Sequence, residues 1–172
     1  MPTRRRMRSH RIVEARQTLG GLALFRKMIA GDVPRPPMTS LLNLRLLEAD
    51  EGHVVFGAVP ARAHYNGMGI VHGGLAAALL DSALGCAVNT LAPAGKIFTT
   101  LEMKINFTRP LTREVGPVRC HASVLHMGRR VATAEGRVVD ASGTLYAHGT
   151  ATCILFQARS STGLNDAKRR PR

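Results

Sequence analysis

The sequence predicts an α+β domain in which a curved antiparallel sheet of five or six strands wraps one long central helix. Three observations predict it. The segments run strand, strand, helix and then four strands. Residues 74–90 form a helical stretch that is apolar almost all round, which marks a buried helix. The chain of 172 residues, 45% apolar, is long enough for one domain with a proper core and short extensions.

The elements follow in order. Residues 10–30 read as one helix, with Ile12, Val13, Leu19, Leu22, Phe25 and Met28 as a rough apolar stripe and Gly20-Gly21 as a weak point. Gly31-Asp32 and the run Pro34-Arg35-Pro36-Pro37 stop it. Leu42, Leu44, Leu46 and Glu48 alternate, Glu51-Gly52 turns, and His53 to Val59 returns as a second strand. Residues 60–71 are a loop. After the buried helix, Pro93 and Gly95 break the chain, and strands are expected at 97–107, 117–126, 130–139 and 144–156. One helix covers one face of such a sheet, and an exposed strand edge needs pairing, so a dimer is expected. The division expected is a basic helical extension at 1–38, the main domain at 39–157 and a basic disordered tail at 158–172.

The net charge is +13. Residues 1–16 hold six arginines and one Glu, and 159–172 hold five basic residues and one Asp. The ends therefore carry most of the charge, and the middle is only weakly basic. Solubilising ends are the plain reading, and no specific nucleic acid is expected. Trp is absent and there are only two Tyr, too few for a stacking platform. No eighteen-residue apolar run suggests a membrane span, and no apolar stretch follows the arginines as in a secretory signal. Cys86, Cys120 and Cys153 lack CxxC spacing and even pairing, so a reduced, cytoplasmic setting is expected. The seven histidines show no metal-ligand spacing, and no metal or cofactor is expected. No GxSxG elbow is present.

The chemistry concentrates in Asn66-Gly-Met-Gly-Ile-Val-His72-Gly73-Gly74 and in Asp81. The glycines start the buried helix. Its first N–H groups have no internal partner and sit at the positive end of the helix dipole, where an oxyanion is stabilised. Asp81 is the only carboxylate between Glu51 and Glu102. Gly74, Ala77/Ala78, Asp81 and Gly85 share one helix face. A lone Asp among apolar residues either finds a partner or faces a cavity, where it serves as a general base or nucleophile.

The spacing Asn66-x5-His72-Gly73-Gly74-x6-Asp81 resembles that of the hotdog-fold acyl-CoA thioesterases, specifically the phenylacetate-pathway (PaaI-like) branch of the 4-hydroxybenzoyl-CoA thioesterase superfamily. Thr99 to Pro110, and Gly128-Arg129-Arg130-Val131 with Ala134 to Asp140, are similar to the later strands of that branch. The resemblance covers about 40–156. It implies a homodimer or dimer of dimers with sites at the subunit interface. It implies that the Gly73 N–H and the Asn66 side chain polarise a thioester carbonyl and that Asp81 of the facing subunit activates water or attacks. Thr100 matches the position that orients the water, and His72 the position that supports the loop. Gly74, Phe107, Met127, Gly128, Arg129 and Arg130 match positions near the acyl-CoA substrate, where an arginine meets a CoA phosphate. CoA enters only as part of the substrate.

Two other functions fit the same residues: a hydratase or dehydratase relying on His72, and an acyl-CoA-binding sensor with a DNA-binding appendage. The single helix expected at 10–30 argues against the second, since a helix-turn-helix needs two.

Overall fold

In a computed structural model of the chain, residues 4–157 are described, with side chains from Arg11 onward; the expected tail at 158–172 lies outside the described residues. Among the described residues, four α-helices and six strands make up the fold. The helices are α1 (Arg4–Thr18), α2 (Gly21–Ala30), α3 (Pro37–Leu41) and α4 (Gly73–Thr90). The strands are β1 (Leu44–Asp50), β2 (His53–Ala58), β3 (Lys96–Phe107), β4 (Val118–Met127), β5 (Val131–Val139) and β6 (Leu145–Gln157). They form one antiparallel sheet in the order β1-β2-β4-β5-β6-β3. No helix among the described residues is long and apolar enough to cross a membrane.

The sheet wraps α4 because both surfaces are patterned for it. On β5, Ala132, Ala134, Gly136 and Val138 are buried while Thr133, Glu135 and Arg137 between them are more exposed. This is the period-2 alternation of a sheet with one covered face. Leu79, Leu80, Leu84 and Val88 of α4 are fully buried against Val54, Val118 and Cys120. Small residues on the sheet let the helix settle close. A Cβ at Gly136 would stand 3.2 Å from both Leu80 and Leu84. Each buried leucine contributes roughly 1.5–3 kcal/mol through burial.

Two details depart from the sequence-based expectation. The segment at 10–30 is not one helix. It is two, because Gly20 is extended (φ −65°, ψ 160°) and caps a new helix at Gly21. A Cβ at Gly21 would overlap the Asn89 carbonyl, and the Gly21 N–H donates to Ala92 O at 3.0 Å. The glycine pair is thus a docking point on the end of α4 as well as a weak point in the helix. Having two helices here removes the argument that one helix alone was present. Of the two helices, α2 packs on the main domain: Phe25 joins the main cluster, and Leu24 forms a smaller one with Ile12 and Val33. The helix α3 was also not anticipated; it is a single turn begun by Pro37 at its first position.

Strand β3 forms one edge of the sheet. It pairs with β6 alone, and its register shifts between Thr100 and Glu102, so Leu101 is an extra residue. An extra residue flips which side chains face inward. Phe98 and Thr100 face the helix before the bulge, and Met103 and Ile105 pack on the core after it. Leu101 is left 59% exposed on the free edge.

Candidate active site

The loop before α4 is held by its own polar groups. Asn66 Oδ1 accepts from the Met68 N–H at 2.9 Å, and the Asn66 N–H donates to Ile70 O at 2.8 Å. These bonds engage the carboxamide oxygen, and its Nδ2 has no partner among the described residues. His72 occupies the N-cap of α4. Its Nδ1 accepts from the Gly74 N–H at 2.8 Å, and its backbone N–H donates to His64 O at 2.8 Å. The cap holds the imidazole as the tautomer with its proton on Nε2.

The start of α4 therefore offers fewer open N–H groups than expected. Gly74 spends its N–H on the cap. Gly73 has no partner for its own among the described residues. Beside it, the Phe107 ring packs so closely that a Cβ at Gly73 would lie 3.2 Å away. Asn66, His72, Gly73 and Phe107 line one cleft of about 330 Å³ with Arg109 and Tyr146. This cleft presents the positive end of α4 and one side-chain amide to a ligand.

Asp81 lies elsewhere. It sits half-buried two turns along α4, where Thr100 Oγ1 donates to its Oδ1 at 2.8 Å. It stands eight positions past Gly73, about 12 Å of helix. It opens into a different cavity, of about 250 Å³, together with Phe25, Phe56, Cys86 and Phe98. Cys86 is pushed up to about 12, chiefly by burial, so its thiol stays protonated. The sheet register explains where the remaining residues fall. Ala132, Cys153 and Thr100 pair in sequence across β5, β6 and β3. The hairpin holding Met127, Gly128, Arg129 and Arg130 lies just beyond that row, at the Asp81 end of the sheet. Gly128 N–H donates to Val131 O at 2.9 Å to close it, and both arginines are exposed.

So one chain divides the anticipated residues into two groups. Asn66, His72, Gly73, Gly74 and Phe107 stand at the start of α4. Asp81, Thr100 and the Met127–Arg130 hairpin make up the second group, further along the helix. The sequence reading missed the residues that the N-terminal segment adds to the second group: Arg16, Phe25, Met28 and Arg35 line the Asp81 cavity. An apolar stripe was visible there, but nothing in it told which surface it would cover.

Residues 68–147 match the profile of the Thioesterase superfamily. A solved structure, the phenylacetic acid degradation-related protein of Ralstonia eutropha JMP134, is 30% identical with a TM-score of 0.69. That alignment covers 76% of this chain and 98% of the other. The chain belongs to the thioesterase superfamily. Its fold is the hotdog fold of that superfamily, the central helix being α4. A variant of the phenylacetic acid degradation protein PaaI from Thermus thermophilus is 32% identical, with a TM-score of 0.62, over 69% of this chain and 97% of its own. A protein of Halobacterium salinarum with a provisional esterase name is 34% identical over 93 residues, which is 53% of this chain. The matched stretch spans 60% of that relative's length.

Proposed function

We propose that this thioesterase-superfamily protein is an acyl-CoA thioesterase whose site is completed by two subunits. The observation that carries the reading is the separation of two half-sites along α4. One half holds a free helix N–H and an amide, and the other holds a hydrogen-bonded carboxylate. Pairing two copies antiparallel through the free β3 edges sets their α4 helices side by side. One subunit's Gly73 then meets the partner's carboxylate. The free, twelve-residue edge of β3 supports such pairing.

The Gly73 N–H and Asn66 Nδ2 receive the thioester carbonyl oxygen. Asp81 takes a proton from water as the water oxygen attacks the carbonyl carbon. Negative charge collects on the carbonyl oxygen, where the two donors hold it. Collapse breaks the C–S bond, and the CoA thiolate recovers the proton. Thr100 occupies one carboxylate oxygen and leaves the other to face water. A direct attack by Asp81, forming an anhydride that water then opens, uses the same residues. Arg129 and Arg130, on the exposed hairpin at the Asp81 end, suit a CoA phosphate.

The test is thiol release from a panel of aryl- and alkanoyl-CoAs by the wild type and by Asp81→Asn. The expected result is release by the wild type and a loss of about 100- to 10,000-fold in the variant. Equal release by both removes Asp81 from the reaction. Release by neither, from folded protein, contradicts the reading.

A further inference from the structure

The cavity beside Asp81 has an unusual wall. Its apolar part comes from Phe25, Met28 and Phe98, but two arginines also line it, Arg16 of α1 and Arg35 before α3. Both come from the N-terminal segment, outside the stretch 68–147 that matches the superfamily. Asp81 is the only carboxylate on this wall.

Arg16 is half-buried, and among the described residues its guanidinium has neither an ion-pair nor a hydrogen-bond partner. Burial lowers its pKa from the usual arginine value, and the neighbouring ionisable group, Cys86, is neutral in its protonated form. A guanidinium keeps its charge regardless. A desolvated cation with no acceptor is costly, so a place like this calls for an anion brought by something else. The Phe98 ring packs against α4, where a Cβ at Gly85 would overlap it, and so shapes an apolar channel between the two polar ends.

The geometry gives the channel a direction. Cys86, next to Arg16, stands five residues beyond Asp81, about 7.5 Å along α4. The Arg16 carbonyl accepts the Gly95 N–H at 3.0 Å, which ties this end of the channel to the start of β3. An acyl group with its carbonyl carbon at Asp81 would point its far end at Arg16.

We infer that the N-terminal segment makes this cavity a site for acyl groups that end in a carboxylate, with Arg16 as the residue that binds that carboxylate. The substrate class is the CoA monothioester of a short dicarboxylic acid. The inference rests on the thioesterase reading for its orientation, though the anion site stands on the cavity itself.

The test compares adipyl-CoA with hexanoyl-CoA, of equal chain length, on the wild type, Arg16→Gln and Arg16→Lys. In parallel, titration calorimetry measures binding of free adipate and free hexanoate. The wild type is expected to prefer adipyl-CoA in kcat/KM. Arg16→Gln should lower the adipyl-to-hexanoyl ratio by roughly 10- to 100-fold, and Arg16→Lys should retain part of it. A wild type that hydrolyses hexanoyl-CoA as well as adipyl-CoA, with a ratio unmoved in Arg16→Gln, overturns the inference and leaves the thioesterase reading intact. If neither thioester is cleaved, the panel of aryl- and alkanoyl-CoAs judges the thioesterase reading and calorimetry judges the anion site. Adipate binding that is lost in Arg16→Gln sustains the anion site, and absence of adipate binding to the wild type overturns it.

Discussion

Thr100 Oγ1 donates a 2.8 Å hydrogen bond to Asp81 Oδ1, joining the edge strand β3 to the central helix. The bulge at Leu101 follows at once. Without the extra residue, the inward phase of Phe98 and Thr100 would carry on through Glu102 and Lys104 in place of Met103 and Ile105. The bond fixes which carboxylate oxygen is occupied and which stays open to a ligand. Thr100→Val keeps the shape and removes the donor. It is expected to lower kcat roughly tenfold with little change in KM, as loss of one charge-assisted hydrogen bond implies. Steady-state thiol release checks this, and an unchanged kcat would show that the bond is only structural.

The N-terminal segment is held by a close backbone crossing at Gly21 and Asn89. Gly21→Val puts a branched side chain where there is no room for a Cβ. It is expected to cost about 3 kcal/mol or more and to undock α2 from α4. Limited proteolysis then cuts the variant within 1–40 faster than the wild type, while the sheet stays protected. Equal cleavage would mean that the crossing relaxes freely.

His72 caps α4 through its Nδ1. His72→Ala removes the acceptor for the Gly74 N–H and is expected to cost about 1 kcal/mol of stability. His72→Asn, which caps as well, should recover most of it. If alanine and asparagine lose activity equally while asparagine restores stability, the imidazole does more than cap the helix.

Cys86 is held up at about 12 by burial, against about 8.5 for an ordinary thiol. It is neutral through the mildly alkaline range and should alkylate far more slowly than a free thiol at about pH 8. Intact-mass spectrometry after iodoacetamide reads this directly. Denaturing the protein should release the reactivity; prompt modification of the native form would show that the cavity is open to solvent.

Much of the fold was legible because period-2 runs and one all-apolar helix leave little choice. The strands expected at 117–126 and 144–156 lie within a residue or two of β4 and β6, and 74–90 differs from α4 by one residue. The misses have physical causes. At 10–30 the apolar stripe continues through Gly20, so the sequence pattern alone does not show that the backbone turns extended there to let α2 cross α4. The Leu101 bulge is hidden because Thr99, Leu101 and Met103 also alternate acceptably. At the site, Asn66, His72, Gly73 and Asp81 stood out by residue type and spacing. Arg16 did not, because one arginine among six in a basic segment carries no mark of burial. Its place is set by how α1 packs against α2 and β3.

The most direct test of the two-subunit site is complementation between two inactive variants. Gly73→Pro removes the free N–H at the first position of α4, after an extended His72 at φ −60° and ψ 133°, with the Phe107 ring giving way by a few tenths of an ångström. Asp81→Asn removes the carboxylate. Each alone is expected to be at least about 100-fold slower than wild type. Mixed by subunit exchange, heterodimers carry one doubly altered site and one intact site. Thiol release should then return to about a quarter of the wild-type rate with random pairing. If exchange is complete by mass spectrometry and activity stays at the level of the separate variants, both groups act within one subunit and the account is wrong.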